Sequence, residues 1–306
     1  MTRKNLKIGG IITALISPFC DRGTKIDLER FKMQVDRQIR SGIAGLVPCG
    51  TTGEAPTLEI TEQVMLIRTC VDVAAGRVPV IAGAGSNCTK DAVILTKASV
   101  DCGADATLHV VPYYNRPDER SRRAHFCAIA NCTDKPVILY NIPDRTGKGT
   151  DMGAKEVFAL TQECPSIIGI KEASGSVERV TELRRVFNGR EFIILCGDDA
   201  LVLPFSTLGA QGLISVFSNA YPEYWVLMWQ DRNSLPHIAL KRFENAYPII
   251  KLLFKERNPV GIKCLMKFMG LDSGMLREPL LEATKELQTV FREQVCIFKS
   301  KIGDMQ

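Results

Sequence analysis

The chain lacks the features that mark several large protein classes. It has two tryptophans and three histidines in 306 residues. His109, His125 and His237 stand far apart in sequence, with no cysteine or carboxylate at ligand spacing, which is not the pattern of a metal site. The 11 cysteines contain no C-x-x-C pair, and their odd number does not suit a disulfide framework. Cys70, Cys127, Cys196 and Cys296 fall inside apolar or helical stretches and read as small buried hydrophobes in a reducing compartment. No apolar run approaches the roughly 20 residues of a membrane span, so no membrane association is expected. The start, Met1-Thr-Arg-Lys-Asn-Leu-Lys7, has neither the apolar core nor the cleavage site of a signal peptide, so a cytoplasmic location is expected. The net charge of +5 is small, and acidic residues are interspersed with basic ones, so nucleic acid is not an expected partner. The densest basic cluster, Arg116 to Arg123, includes Asp118 and Glu119 and reads as a solvated loop and first helical turn.

What the chain does have is a rhythm. Short β-branched runs span 10–16, 45–48, 78–82, 107–111, 136–140, 167–171, 192–196 and 212–216. Most are continuously apolar, as strands buried on both faces must be. Amphipathic stretches separate them. Leu28, Phe31, Val35 and Ile39 share a face, with Asp27 as N-cap and Gly42 beyond the end. Val64, Ile67, Val71 and Ala74 repeat the pattern between Thr61 and Gly76, and Val177, Val180 and Leu183 do so before Gly189. Eight βα units in about 230 residues predict an eight-stranded parallel βα (TIM) barrel. A doubly wound sheet is the alternative, but no Gly-x-Gly-x-x-Gly follows a strand. From about Pro236 the strands stop. Asn258-Pro259 breaks a helical run, and Pro279 fits the first position of a last helix through Leu280, Val290 and Ile297. The expected division is a barrel carrying the active site over 1–232 and an all-helical C-terminal extension over 233–306.

The chemistry concentrates at strand ends. Lys171 closes the run Ser166-Ile-Ile-Gly-Ile-Lys171. Its isoleucines should draw the strand inside, and burial favours the neutral amine, which can attack a carbonyl and form a Schiff base. Alone, the segment reads as well as a strand-end lysine snorkelling to water. In a barrel, however, the loops after the strands share one face. There lie Gly50-Thr51-Thr52-Gly53-Glu54, whose hydroxyls and amides suit a carboxylate or a proton relay, and Pro112-Tyr113-Tyr114-Asn115-Arg116-Pro117. Tyr140 ends the strand before that of Lys171, and neighbouring barrel strands lie about 4.8 Å apart, so a phenol can reach the amine. Arg145 offers a planar fork for a carboxylate. Gly261-Ile-Lys263 repeats the Gly-Ile-Lys of Lys171, but it lies in a helical pattern and carries no catalytic weight.

Together with Tyr140-Asn-Ile-Pro-Asp-Arg-Thr-Gly147, Gly169-Ile-Lys-Glu-Ala-Ser-Gly175 and Cys196-Gly-Asp-Asp199, these motifs resemble the dihydrodipicolinate synthase and N-acetylneuraminate lyase family from about Ile8 to Val260. Arg145 aligns the chain with the synthase branch. The resemblance implies that Lys171 forms an imine with pyruvate, and that the derived enamine attacks aspartate semialdehyde in the diaminopimelate route to lysine. It implies a proton relay of Tyr140, Thr52 and Tyr114, the last reaching in from a neighbouring subunit of a homotetramer. Thr51 and Thr52 would hold the pyruvate carboxylate and Arg145 that of the semialdehyde. Gly197 and Ile214 would line the pocket, with no cofactor required. It also implies a lysine feedback site at Ala55, Ile60, Gln63, Asn87, Asp91 and Tyr113. There Ile60 and Gln63 depart from the polar or ionisable residues of strongly inhibited relatives, so weak inhibition or none is expected. The remaining alternatives are another pyruvate-dependent Schiff-base aldolase, such as N-acetylneuraminate lyase, and a non-catalytic barrel acting in binding or regulation.

Overall fold

The computed structural model describes residues 6–303; Met1 to Asn5, read above for a secretion signal, lie outside it. All eight predicted runs are strands. They are β1 (Gly10–Ala14), β4 (Gly45–Val47), β5 (Ile81–Gly83), β6 (Ala106–Val110), β7 (Val137–Asn141), β8 (Ile167–Glu172), β9 (Ile193–Cys196) and β10 (Gly212–Ser215). They form one parallel sheet in the order β4-β1-β10-β9-β8-β7-β6-β5. A parallel bridge between Leu46 and Val80 brings the two edges together, which closes the barrel. A short antiparallel pair, β2 (Phe19–Cys20) and β3 (Lys25–Ile26), was not foreseen, because two-residue strands carry no periodic signal.

Side-chain parity along the strands makes two layers. Ile12, Val47, Ile81, Leu108, Ile138, Leu195 and Ile214 fill the barrel interior with Tyr140. Alternate residues such as Val137, Leu139, Ile170 and Leu213 pack outward against the helices. Each such aliphatic side chain, fully buried, contributes about 1.5–3 kcal/mol. The helices are α1 (Leu28–Arg40), α2 (Ile60–Ala74), α3 (Thr89–Asp101), α4 (Glu119–Ala130), α5 (Pro143–Thr146), α6 (Ala154–Glu163), α7 (Glu178–Phe187), α8 (Val202–Thr207), α9 (Pro222–Ser234), α10 (Pro236–Leu253), α11 (Val260–Phe268) and α12 (Lys285–Gly303).

Asp27 caps α1, accepting from the Arg30 amide at 3.0 Å. Thr61 does not cap α2. That helix starts at Ile60, where Glu59 and Glu62 form a reciprocal capping box. The turns after α2 and α7 begin one residue before the expected glycines, at Ala75 and Asn188, both in the left-handed region. The last helix begins at Lys285 rather than at Pro279. Arg277 is tied to Glu62 and to three backbone carbonyls, which holds the preceding stretch off a helical path, and the Thr284 hydroxyl accepts from the Leu287 amide as the cap.

Two other expectations need correction. Arg122, placed in a solvated cluster, is buried and bidentate to Glu156 at 2.8 and 2.9 Å, because that face of α4 packs on α6. Cys70 and Cys196 are buried, but Cys127 is half-buried and Cys296 is exposed on α12, where Val295 and Phe298 take the inner face. His109 and His125, distant in sequence, come together behind β6, where burial pushes them down to about 3 and about 4. No helix among the described residues is long and apolar enough to cross a membrane.

Candidate active site

β7 and β8 are neighbours, and their ladder sets Tyr140 opposite Lys171. Parallel partners share a face, so both side chains point into the barrel mouth. Lys171 is 7% exposed, and its Nζ lies 4.1 Å from the centroid of the Tyr140 ring. The amine thus rests on the face of the ring, a cation–π arrangement when it is protonated.

The next pair along the ladder, Asn141 and Glu172, points the other way and braces the strand tips. Asn141 Nδ2 donates to Glu172 Oε2 at 3.0 Å and to Asp151 Oδ1 at 2.8 Å. Arg179 holds Asp151 at 3.0 Å. Burial raises the Glu172 carboxyl above its usual range, although Ser174 and Asn141 hydrogen-bond it.

A cavity of about 420 Å³ opens above the amine, lined by Thr51, Thr52, Tyr140, Arg145 and Lys171 among others. Thr52 is buried, and its Oγ1 accepts from the side-chain amide of Asn258 at 3.0 Å. Arg145 stands at the open rim, and its Nη2 donates to the Asn258 carbonyl at 3.2 Å. Desolvation by the surrounding protein lowers the guanidinium from its usual value, and nearby Arg257 adds to this. Asp144 instead pairs with Arg257 at 3.1 Å.

Gly197 sits beside the lysine stem. A Cβ there would meet Ala173 Cβ at 2.6 Å and Lys171 Cε at 3.1 Å, so only glycine leaves the amine its place. Ile214 is buried in the barrel interior and is not among the residues that line the cavity. Tyr114 does not line this cavity. It stands 90% exposed with φ of +68°.

Of the residues expected to bind lysine, Ala55, Ile60, Gln63, Asp91 and Tyr113 line the same cavity. Asn87 is outside the lining, and its carbonyl accepts from Asn115 Nδ2 at 3.0 Å. Gln63 spends its amide donors locally, on Ala55 O at 3.3 Å and Leu58 O at 3.2 Å.

Three residues at the site carried no assigned role in the sequence. Asn258 was visible only as half of a helix-breaking Asn-Pro pair. Glu54 was a member of a turn motif, and Lys263 a discounted repeat of Gly-Ile-Lys. The Asn258–Thr52 bond, across 206 residues, and the Lys263–Glu54 pair are long-range contacts that no local sequence pattern shows.

A buried amine on a phenol ring at the carboxyl mouth of a βα barrel is the constellation of a carbonyl-attacking barrel enzyme. The chain belongs to the dihydrodipicolinate synthetase family, whose model matches residues 7–297. It is 43% identical to 4-hydroxy-tetrahydrodipicolinate synthase of Brucella abortus over 274 residues, covering 89% of this chain and 92% of the relative. Its fold matches the structure of the 4-hydroxy-tetrahydrodipicolinate synthase from Methylacidiphilum fumariolicum SolV with a TM-score of 0.93, at 39% identity and over 97% and 98% of the two chains. It also matches that of DHDPS from Cyanidioschyzon merolae with lysine bound, with a TM-score of 0.90 at 36% identity over 95% and 98%.

Proposed function

We propose that this chain is a Schiff-base lyase that condenses pyruvate with aspartate semialdehyde to give 4-hydroxy-tetrahydrodipicolinate. The observation that carries the reading is the buried Lys171 amine on the Tyr140 ring, in a cavity also lined by Thr51, Thr52 and Arg145.

Lys171 Nζ attacks the keto carbon of pyruvate, and water leaves as the imine forms. The imine withdraws electrons, so a methyl proton departs and an enamine results. The enamine carbon bonds to the aldehyde carbon, whose oxygen takes a proton. The amine of the second substrate then adds to the imine carbon, closes the ring and expels Lys171. Tyr140 and Thr52 carry protons, and positioned transfer of this kind contributes typically 10²–10⁴-fold.

Thr51 and Thr52 hold the pyruvate carboxylate through amide and hydroxyl, while Gly197 and Ile214 shape the pocket. Arg145 holds the semialdehyde carboxylate with charge-assisted hydrogen bonds. Tyr114, exposed here, completes the relay of a neighbouring subunit, which makes the active form an oligomer, a homotetramer in this reading. Residues 1–232 supply the reacting groups and 233–306 the support. Ala55, Ile60, Gln63, Asp91 and Tyr113 in the cavity, with Asn87 outside its lining, hold lysine weakly or not at all. The reaction belongs to amino-acid biosynthesis in the cytoplasm.

Borohydride reduction in the presence of pyruvate should add one pyruvate-derived fragment to Lys171, located by mass spectrometry. An adduct on another residue, or none, would overturn the mechanism. Turnover with aspartate semialdehyde but not with N-acetylmannosamine separates this reaction from that of a sialic-acid lyase.

A further inference from the structure

Glu54 and Lys263 form a charge pair sealed inside the protein. The Nζ–Oε1 distance is 2.5 Å, and the side chains are 0% and 1% exposed for Lys263 and Glu54 respectively. Lys263 Nζ also donates to the Met275 carbonyl at 2.8 Å and lies 4.0 Å from the centroid of the Phe19 ring. The second Glu54 oxygen accepts from the Arg277 amide at 3.0 Å. One end of the pair is on α11, in the helical extension. The other is the last residue of Gly50-Thr51-Thr52-Gly53-Glu54, where Glu54 takes a left-handed φ of +55° and its amide donates back to the Thr51 carbonyl at 3.1 Å.

Such a pair is a poor device for stability alone. Desolvating two charges offsets most of their attraction, and apolar replacements of similar volume are often neutral or stabilising. What a buried pair does fix is position, because neither charge can move without being left alone. The charge that is fixed here belongs to a turn whose backbone is otherwise held by short-range bonds, and by Ser17 Oγ donating to Gly53 O at 2.7 Å. Five residues before Lys263, Asn258 grips Thr52 from the same side. The helical extension therefore touches the threonine turn through the charge of Lys263, the backbone amide of Arg277 and the side-chain amide of Asn258.

We propose that Glu54–Lys263 is a positioning pair, which docks the helical extension onto the barrel and thereby sets the Thr51–Thr52 cradle for the carboxylate of a 2-oxo acid. Neither residue touches substrate, and the assignment rests on the Schiff-base reading above. It gives Lys263 a purpose unlike that of Lys171: one amine reacts, and the other holds in place the loop that presents its substrate.

Two variants leave neither member of the pair alone, and Glu54→Asp is the primary test because the double variant also takes Lys263 away from the buried carboxyl of Asp272. Glu54→Asp keeps both charges but shortens the reach by one methylene, and the double variant Glu54→Gln with Lys263→Met removes both. Each is expected to raise the pyruvate concentration for half-maximal borohydride trapping by about ten- to hundredfold, the scale expected for an ångström-sized misplacement. The adduct remains on Lys171, and the KM for aspartate semialdehyde rises by less than the pyruvate half-saturation, because Arg145 meets the extension through one hydrogen bond to the Asn258 carbonyl. A purely structural pair would lower the melting temperature and the trapped fraction at saturation without moving half-saturation, and that result overturns the proposal. No adduct in the unmutated chain would instead overturn the reaction reading on which it depends.

Discussion

Tyr140 faces Lys171 across the β7–β8 ladder, and the lysine amine sits 4.1 Å from the centre of the phenol ring. The contact is made by the ring and not by the hydroxyl. Two duties of one side chain can therefore be separated. Tyr140→Phe keeps the ring under the amine and removes the proton carrier. Borohydride trapping with pyruvate should survive, while kcat falls by about 10²–10⁴-fold. Loss of trapping in a folded Phe variant would place the hydroxyl in imine formation itself.

Arg145 is the only one of the assigned groups reserved for the second substrate. Its guanidinium stands at the cavity rim and donates to the Asn258 carbonyl. Arg145→Ala should raise the KM for aspartate semialdehyde strongly while leaving pyruvate trapping near normal. A lost charge-assisted bond costs roughly 1.5–3 kcal/mol, about ten- to hundredfold in kcat/KM. Equal loss of trapping would mean that Arg145 holds the first substrate or the loop.

The barrel was legible because parallel strands buried on both faces read as continuous apolar runs, and ladder register then placed Tyr140 beside Lys171. The Thr51–Thr52 turn and Arg145 followed from their places after strands. Asn258 and the Glu54–Lys263 pair were not legible. Their meaning comes from how α11 lies against the barrel, and no local pattern encodes a contact across 206 residues. The start of α12 was misread for a related reason. Pro279 is a good first helical residue, but Arg277 is anchored to Glu62 at 2.6 Å, and that long-range contact prevails over the local preference.

Tyr114 stands 90% exposed outside the cavity of its own chain. If it completes a neighbour's site, two inactive chains can repair each other. Mixed oligomers of Tyr114→Phe and Lys171→Ala chains contain sites with both an intact lysine and an intact tyrosine. Activity should rise from near zero toward about a quarter of normal when two chains mix at random. No recovery in oligomers verified as mixed would confine Tyr114 to its own chain.

The buried thiols set an alkaline limit on stability. Burial pushes Cys164 up to about 12, with Cys127 beside it adding to the shift, and pushes Cys264 up to about 11. Cys49, Cys70 and Cys196 are raised as well, and burial pushes Tyr221 and Tyr224 up to about 12. Above a thiol's ordinary value of 9.0 the unfolded chain releases these protons while the folded chain keeps them. The folded state then binds more protons, so stability falls as pH rises. Buried Lys263, lowered mainly by desolvation, pulls the other way, but it is one group against the several raised thiols and phenols. The melting temperature should decline steadily from about pH 9 to pH 11, and Cys264→Ala should flatten part of the slope. A flat profile over that range would show that the thiols reach solvent before unfolding.

Feedback by lysine would have to use the cavity that also holds the reacting centre, at Ala55, Ile60, Gln63, Asp91 and Tyr113. Asp91 can receive an ammonium there, and Tyr113 can pack on an aliphatic stem. Ile60 and Gln63 supply few partners. Ile60 offers only hydrocarbon, and both donors of Gln63 are committed to carbonyls of the turn between Ala55 and Leu58. Recruiting Gln63 to a ligand would break bonds that shape the turn after Thr52. Each missing neutral hydrogen bond forgoes roughly 0.5–1.5 kcal/mol, so two weaken binding by about tenfold or more. The condensation rate should therefore change little until lysine reaches millimolar levels. Gln63→His, which restores an ionisable group without the amide's local bonds, should tighten inhibition. Half-inhibition of the unmutated chain well below millimolar lysine would show instead that the Asp91 side suffices to hold the amino acid.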